Sequence, residues 1–94
     1  MFENQHLLKQ LPEFLEIYEK KPILDNYSGM RVEHCFALYC FLKTLKPKHV
    51  IESGIWRGQT TWLIKETIKN IDLYSIDTDL SQNTINFKDV NYFD

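Results

Sequence analysis

The stretch VIESGIWRGQTTWLIKETIKNIDLYSIDTDL, residues 50–80, decides the fold that this chain is predicted to adopt. An apolar run stops at Glu52, glycines follow at Gly54 and Gly58, and a helical pattern begins directly after them. A second apolar run, residues 71–76, ends at Asp77. This order of strand, glycine loop, helix and strand with a terminal acid is typical of an open α/β sheet that holds a nucleoside cofactor.

Each part of this order suits a nucleoside ligand. Glycine lets the backbone turn sharply and approach a ligand without a Cβ clash. The unpaired N–H groups at a helix start hold an anionic or polar group. A carboxylate at the end of the neighbouring strand, here Asp77, accepts hydrogen bonds from ribose hydroxyls. The sequence therefore predicts a binding site at the carboxyl ends of the two strands.

The glycine spacing indicates which nucleoside. A dinucleotide fingerprint, G-x-G-x-x-G, that starts at Gly54 needs glycine where Trp56 and Gln59 stand. The observed pattern from residue 52 to residue 60 is E-x-G-x-x-x-G-x-T. It resembles the first motif of the class I, Rossmann-like S-adenosylmethionine-dependent methyltransferases, and most closely that of their small-molecule members. The resemblance is strong over residues 45–80 and weak elsewhere.

The resemblance implies S-adenosylmethionine as the cofactor and assigns it six residues. They are Glu52, Gly54, Gly58, Thr60, Thr61 and Asp77. The first three match the glycine motif, the two threonines begin the helix where the cofactor carboxylate is expected, and the aspartate matches the ribose acid. One departure is Trp56, which stands at the middle glycine of the commonest family pattern. Its side chain must point away from the cofactor, or the loop must take a different path.

The implied reaction is methyl transfer to an acceptor, expected to be a small molecule. The sulfonium of the cofactor already activates the methyl group, so the protein mainly aligns the reactants and excludes water. In the resembling family, a general base or a metal comes from loops after the fourth strand. We therefore assign no catalytic residue and no metal ligand in this chain, and we expect no catalysis by residues 1–94 alone.

The length of 94 residues favours an incomplete domain. A methyltransferase domain of this class needs well over 100 residues. We expect residues 1–46 to form an N-terminal helical segment and residues 47–94 to form the first half of a Rossmann-like domain, with residues 85–94 starting or forming a third strand. On this interpretation the chain is a truncated N-terminal fragment. The alternative is a genuine small domain.

Composition favours a cytoplasmic protein without a nucleic-acid partner. The formal net charge of −2 offers no basic patch for phosphates, and apolar stretches are far too short to span a bilayer. Helical patterns over residues 12–20 and 30–45 predict two amphipathic helices, with Pro12 at the start of the first. These helices are candidates for a homo-oligomer contact. Cys35 and Cys40, five positions apart on one helix, are expected to be buried thiols rather than a disulfide.

Several alternatives stay open. Asp79 competes with Asp77 as the ribose acid, or caps a turn. Glu52 either contacts the cofactor or bonds the loop amides. Trp56 and Trp62 shape the pocket mouth or are buried against the N-terminal helices. Two other functions are alternatives to the methyltransferase. The first is another Rossmann-like enzyme, such as a nucleotide-sugar or nicotinamide enzyme or a hydroxylase. The second is a non-catalytic interaction module that buries its helices against a partner.

Overall fold

A computed structural model describes residues 4–25 and 29–94 and shows a mixed α/β fold. Within these residues, three α-helices, three strands and one 3₁₀ turn follow one another. They are α1 (Asn4–Tyr18), α2 (Val32–Leu45), β1 (His49–Ser53), α3 (Gln59–Thr67), β2 (Asp72–Ile76), the 3₁₀ turn (Leu80–Gln82) and β3 (Val90–Phe93). The predicted order of helices, strand, glycine loop, helix and strand is confirmed, and residues 90–93 do form a third strand.

The three strands form a parallel sheet in the order β1-β2-β3. β1 and β2 are joined by α3, as the crossover between parallel neighbours requires. The register pairs Glu52 with Ser75, and Ser53 with Ile76, so the carboxyl ends of β1 and β2 lie side by side. This alignment brings the glycine loop after β1 next to the acid after β2.

One face of the sheet is covered by helices and the other is exposed. Leu73, Ser75 and Val90 point to the covered face and are buried. On the opposite face Ile51 is 72% exposed and Phe93 is 51% exposed. Because side chains alternate along a strand, Glu52 shares the covered face with its register partner Ser75.

The helices and the sheet share two hydrophobic clusters. The first joins the three helices and contains Phe14, Cys35, Tyr39, Cys40, Trp62 and Leu63. The second lies between the helices and the sheet and contains Leu42, Ile64, Ile71, Leu73 and Val90. Trp62 is thus buried against the N-terminal helices, as one of the two readings of this residue predicts. α1 and α2 direct much of their apolar surface into this chain's own core.

The first helix differs from the prediction. The sequence predicts a helix that begins at Pro12, but α1 runs from Asn4 to Tyr18 with Pro12 inside it. Proline lacks an N–H and leaves the carbonyl four residues earlier, that of Leu8, without its helical partner. Both Pro12 and Leu8 lie on the exposed side of α1, where water can hydrate this carbonyl. Packing of Phe14 into the core holds the helix in place on the other side.

The second helix agrees with the prediction. α2 ends at Leu45, and Lys46 takes a left-handed conformation just before Pro47. Cys35 and Cys40 are free and buried, as expected. Burial raises the pKa of the Cys35 thiol to about 11, so this thiol is unreactive at neutral pH. In the described part of the chain, no helix is long and apolar enough to cross a membrane.

Candidate functional site

The glycine loop between β1 and α3 has three residues in left-handed conformations. Gly54 has φ +87°, Trp56 has φ +55° and Gly58 has φ +102°. A Cβ added to Gly58 would stand 2.6 Å from Asn83 Oδ1, so glycine is needed there for both conformation and space. A Cβ added to Gly54 would meet no atom within 4 Å, so this glycine borders open space.

Trp56 takes a left-handed backbone conformation, which glycine adopts more readily than other residues. A positive φ costs an L-residue about 1–2 kcal/mol, because Cβ crowds the neighbouring carbonyl. The loop therefore keeps a glycine-type path in spite of the bulky side chain. The Arg57 guanidinium lies 5.6 Å from the centre of the Trp56 ring and donates a hydrogen bond to the Asp25 carbonyl, at 2.8 Å.

Asp77 holds the glycine loop in this shape. Its Oδ2 accepts hydrogen bonds from the backbone N–H groups of Ile55, at 2.7 Å, and Trp56, at 3.2 Å. Its Oδ1 accepts one from the N–H of Asp79, at 3.1 Å. These N–H groups, that of Asp79 first, lower the pKa of the Asp77 carboxyl. A carboxylate offers about four lone-pair positions, and these three N–H groups occupy three of them.

Glu52 lies on the helix-covered face of the sheet, just before the glycine loop, and is 7% exposed. Its Oε1 accepts hydrogen bonds from the hydroxyl of Thr61, at 2.6 Å, and the hydroxyl of Ser75, at 2.8 Å. Burial raises the pKa of the Glu52 carboxyl; the two hydroxyl donors oppose this shift, and the charge of Asp77 adds to it. The sequence offers bonding of the loop amides as one role for Glu52, but Asp77 performs that role instead.

A cleft of about 620 Å³ lies between α2, the end of β1 and the start of α3. Four of the six predicted cofactor residues line it, namely Glu52, Gly54, Thr60 and Asp77. Its volume falls in the usual range for small-molecule sites, about 300–1,000 Å³. The cleft lies at the carboxyl ends of parallel strands, where open α/β sheets bind their ligands.

The remaining predicted residues support the site from outside the cleft. Thr61 is fully buried and its hydroxyl is committed to Glu52. Gly58 lets the segment around Asn83 pack against the loop. Asp79 caps the 3₁₀ turn by accepting from the N–H of Ser81, which is the capping role that the sequence offers for it. Among the two candidate acids, the structure therefore brings Asp77 to the cleft.

The resemblance implies that the second helix covers the cofactor or forms an oligomer contact, but the α2 residues that border the cleft were not foreseen from sequence. It consists of Met30, His34 and Leu38, spaced four residues apart on one face of the helix and its start. A helical pattern shows which residues share a face, but not which ligand site that face borders. Met30 and His34 are therefore additional site candidates.

Gln59, at the first position of α3, joins the site to the segment after α1. Its buried side chain accepts from the N–H of Ile23 and donates to the carbonyl of Ile23, both at 2.9 Å. It also lines the cleft. In the sequence, Gln59 stands out only as the residue that breaks the dinucleotide pattern. Two hydrogen bonds between residues 36 positions apart cannot be predicted from a local sequence pattern.

Comparison with known proteins adds no assignment. No protein-family model matches the chain, and neither a curated protein nor a solved structure gives a match. Within residues 4–25 and 29–94 there is also no group of three or more His, Cys, Asp or Glu side chains placed to hold a metal ion.

Proposed function

We propose that this chain carries the glycine-loop half of an S-adenosylmethionine site, and that the protein is a methyltransferase acting on a small-molecule acceptor. One observation carries the proposal: a single cleft at the carboxyl ends of β1 and β2 combines Gly54, Thr60, Glu52 and Asp77. The resemblance supports the proposal over residues 45–80 only. The structure adds that the four cleft residues lie close together in space.

Two features of the cleft fit the proposed cofactor. The backbone at Gly54 borders open space, so a ligand can approach it closely. The first turn of α3 begins at Gly58, which provides no side-chain cap, so N–H groups at the helix start are available to a carboxylate. Thr60 lies in this turn and lines the cleft.

Asp77 can accept fewer hydrogen bonds from the ribose than the sequence suggests. Two loop amides already occupy Asp77 Oδ2, and the N–H of Asp79 occupies one position of Oδ1. While the loop keeps this shape, Asp77 accepts one ribose hydroxyl at Oδ1 rather than both hydroxyls. In this site Asp77 both shapes the loop and binds the ligand. The protein's contribution to methyl transfer is then to hold the cofactor in a fixed orientation.

Isothermal titration with S-adenosylhomocysteine tests the proposal. We expect saturable binding to the purified chain, abolished by Asp77→Ala and retained by Asp79→Ala, a matched removal of a nearby carboxylate outside the cleft. Titration of NAD and of a nucleotide sugar under the same conditions separates the other Rossmann-like enzymes. A folded chain that binds none of these nucleosides contradicts the proposal and favours the interaction module.

A further inference from the structure

Along the outer edge of β1, backbone groups have no strand to pair with among the described residues. On the inner edge, the carbonyl of Lys48 accepts from β2, and the N–H of Gly54 donates to β2. Because consecutive residues of a strand direct their backbone groups to opposite sides, every second residue of β1 faces the open edge. These residues are His49, Ile51 and Ser53.

The sequence of β1 does little to prevent pairing at this edge. Natural sheets often protect an edge strand with a proline, a lysine or a bulge. β1, with the sequence HVIES, contains neither proline nor lysine, and its register with β2 runs without a bulge. Ile51 in the middle of the strand is 72% exposed. An exposed strand edge with an apolar side chain is a template for another strand.

Apolar side chains of α2 border the same edge. Leu38 lines the cleft together with Val50 of β1, so this side of α2 lies next to β1. Phe41 and Leu45 are on the same side of the helix as Leu38, and both are exposed. The open edge of β1 therefore lies beside an exposed apolar strip, as is typical of a protein–protein contact.

The two ends of β1 carry opposite charges. Lys46 and Lys48 precede the strand, whereas Glu52 and Asp77 lie at its carboxyl end. An antiparallel neighbour places the start of one strand beside the end of the other. Two copies of β1 in this orientation bring the lysines of each copy towards the acidic residues of the other. This charge pattern favours a second copy of the chain as the neighbour of β1.

We propose that two copies of this chain pair through β1 about a two-fold axis at Ile51, which extends the sheet from three strands to six. Ile51 then lies opposite Ile51 of the second copy, and His49 lies opposite its Ser53. These are the residues whose backbone groups face the open edge, so each such pair exchanges two hydrogen bonds. A two-fold interface uses the same surface on both copies. The two α2 helices lie on the same face of the joined sheet, on either side of the axis.

The pairing brings a cation towards the cleft of each copy. Lys48 of the second copy lies opposite Gly54, which in turn lies beside Asp77 at the end of β2. Neighbouring strands are about 4.8 Å apart, so the backbones of this Lys48 and Asp77 are about 10 Å apart. Gly54 has no side chain between them. The described residues that line the cleft include no lysine or arginine, so this cation comes from the second copy.

Sedimentation equilibrium of the purified chain measures the pairing. A strand of five residues forms a small interface, so we expect a monomer–dimer equilibrium with a Kd of about 10–100 µM. Ile51→Lys places two lysines opposite each other at the axis, and we expect it to raise Kd by about tenfold or more. Ile76→Lys is the matched control, because Ile76 is exposed on the same face of the sheet but lies in β2, away from the edge. We expect the control to keep Kd within about twofold.

A charge reversal tests the antiparallel orientation. Lys48→Glu places acidic residues together, and we expect it to raise Kd by about 5- to 10-fold at low salt, with a smaller effect at high salt. Lys88→Glu is the matched control, since it makes the same change at an exposed lysine just before β3. We expect the control to leave Kd within about twofold. A tighter dimer of Lys48→Glu contradicts the antiparallel orientation and overturns the proposal.

Amide hydrogen exchange tests the pairing without any substitution. The N–H of Ile51 faces the open edge, whereas the N–H of Val50 faces β2. We expect the protection of Ile51 to rise relative to that of Val50 as the protein concentration passes through Kd. If the relative protection of Ile51 does not change in a dimer, the contact lies elsewhere and the proposal is overturned.

Two further results would overturn the proposal. One is a chain that stays monomeric up to about 1 mM. The other is an equal loss of pairing in Ile51→Lys and Ile76→Lys, which would place the contact on the face of the sheet instead of its edge. These measurements use no nucleoside, so their failure leaves the proposed function standing, and a failure of nucleoside binding leaves the β1 pairing standing.

Discussion

The hydroxyl of Thr61 provides a direct test of how Glu52 is stabilised. Thr61 is fully buried and donates to Glu52 Oε1 at 2.6 Å. Thr61→Val keeps the shape of the side chain and removes this donor. A hydrogen bond to a charged group is worth about 1.5–3 kcal/mol, and a neutral one about 0.5–1.5 kcal/mol. We therefore expect the free energy of unfolding to fall by about 2 kcal/mol where Glu52 is ionised and by about 1 kcal/mol where it is protonated.

The pH at which the effect changes follows from the direction of the pKa shift. Burial raises the pKa of Glu52, so the folded chain binds this proton more tightly than the unfolded chain does. The contribution of Glu52 to stability is therefore fully present below the unfolded value near 4.5, and is lost as the pH rises through the raised folded value. Thr61→Val raises the folded pKa further, so its cost grows with pH across the interval in which Glu52 of the folded chain loses its proton.

Urea unfolding followed by circular dichroism over a series of pH values measures this growth. Thr67→Val is the matched control, because Thr67 lies in the same helix and donates to the neutral carbonyl of Leu63, at 2.7 Å. We expect a smaller loss for the control, with no dependence on pH. If the cost of Thr61→Val never rises with pH, or is no more than that of the control, the described role of the Thr61 hydroxyl is refuted.

Three further substitutions test the loop and the core. Gly58→Ala places a Cβ 2.6 Å from Asn83 Oδ1 at a φ of +102°, and we expect a loss of about 1–3 kcal/mol in urea unfolding; no loss would contradict this loop path. Trp56→Gly relieves the positive φ while adding backbone freedom, so thermal unfolding is expected to show a change within about 1 kcal/mol. A large loss would place the indole in the core instead. Leu73→Ala empties a fully buried site, and we expect a loss of about 2–5 kcal/mol in urea unfolding; a loss below this range would mean that β2 is not central to the core.

The two carboxyls at this edge of the sheet have opposite environments. Backbone N–H groups lower the pKa of Asp77, whereas burial raises that of Glu52. The loop amides thus favour the ionised form of Asp77, whereas burial disfavours the ionised form of Glu52. Pairs of titratable groups whose pKa values are driven apart are typical of functional sites. This contrast supports the proposal that the cleft which both carboxyls line binds a ligand.

Local sequence determined the secondary elements and the glycine loop. The apolar runs, the two glycines and the acid after the second run are short-range signals, and β1, α3 and β2 lie where these signals predict them. The parallel sheet follows, since a strand, helix and strand in immediate succession form a crossover. Pro12 is the exception, because packing of its helix overrides a local preference. The methyltransferase assignment stays a prediction from the resemblance.

Tertiary structure alone decided what the acidic residues do. Glu52 meets Ser75 because the strand register pairs them across 23 positions, and Asp77 reaches the amides of Ile55 and Trp56 because the ends of β1 and β2 lie side by side. No pattern within a short window encodes these distances. Contacts between elements that are distant in sequence decide which carboxylate is buried and which of its oxygens has no hydrogen-bond partner among the described residues.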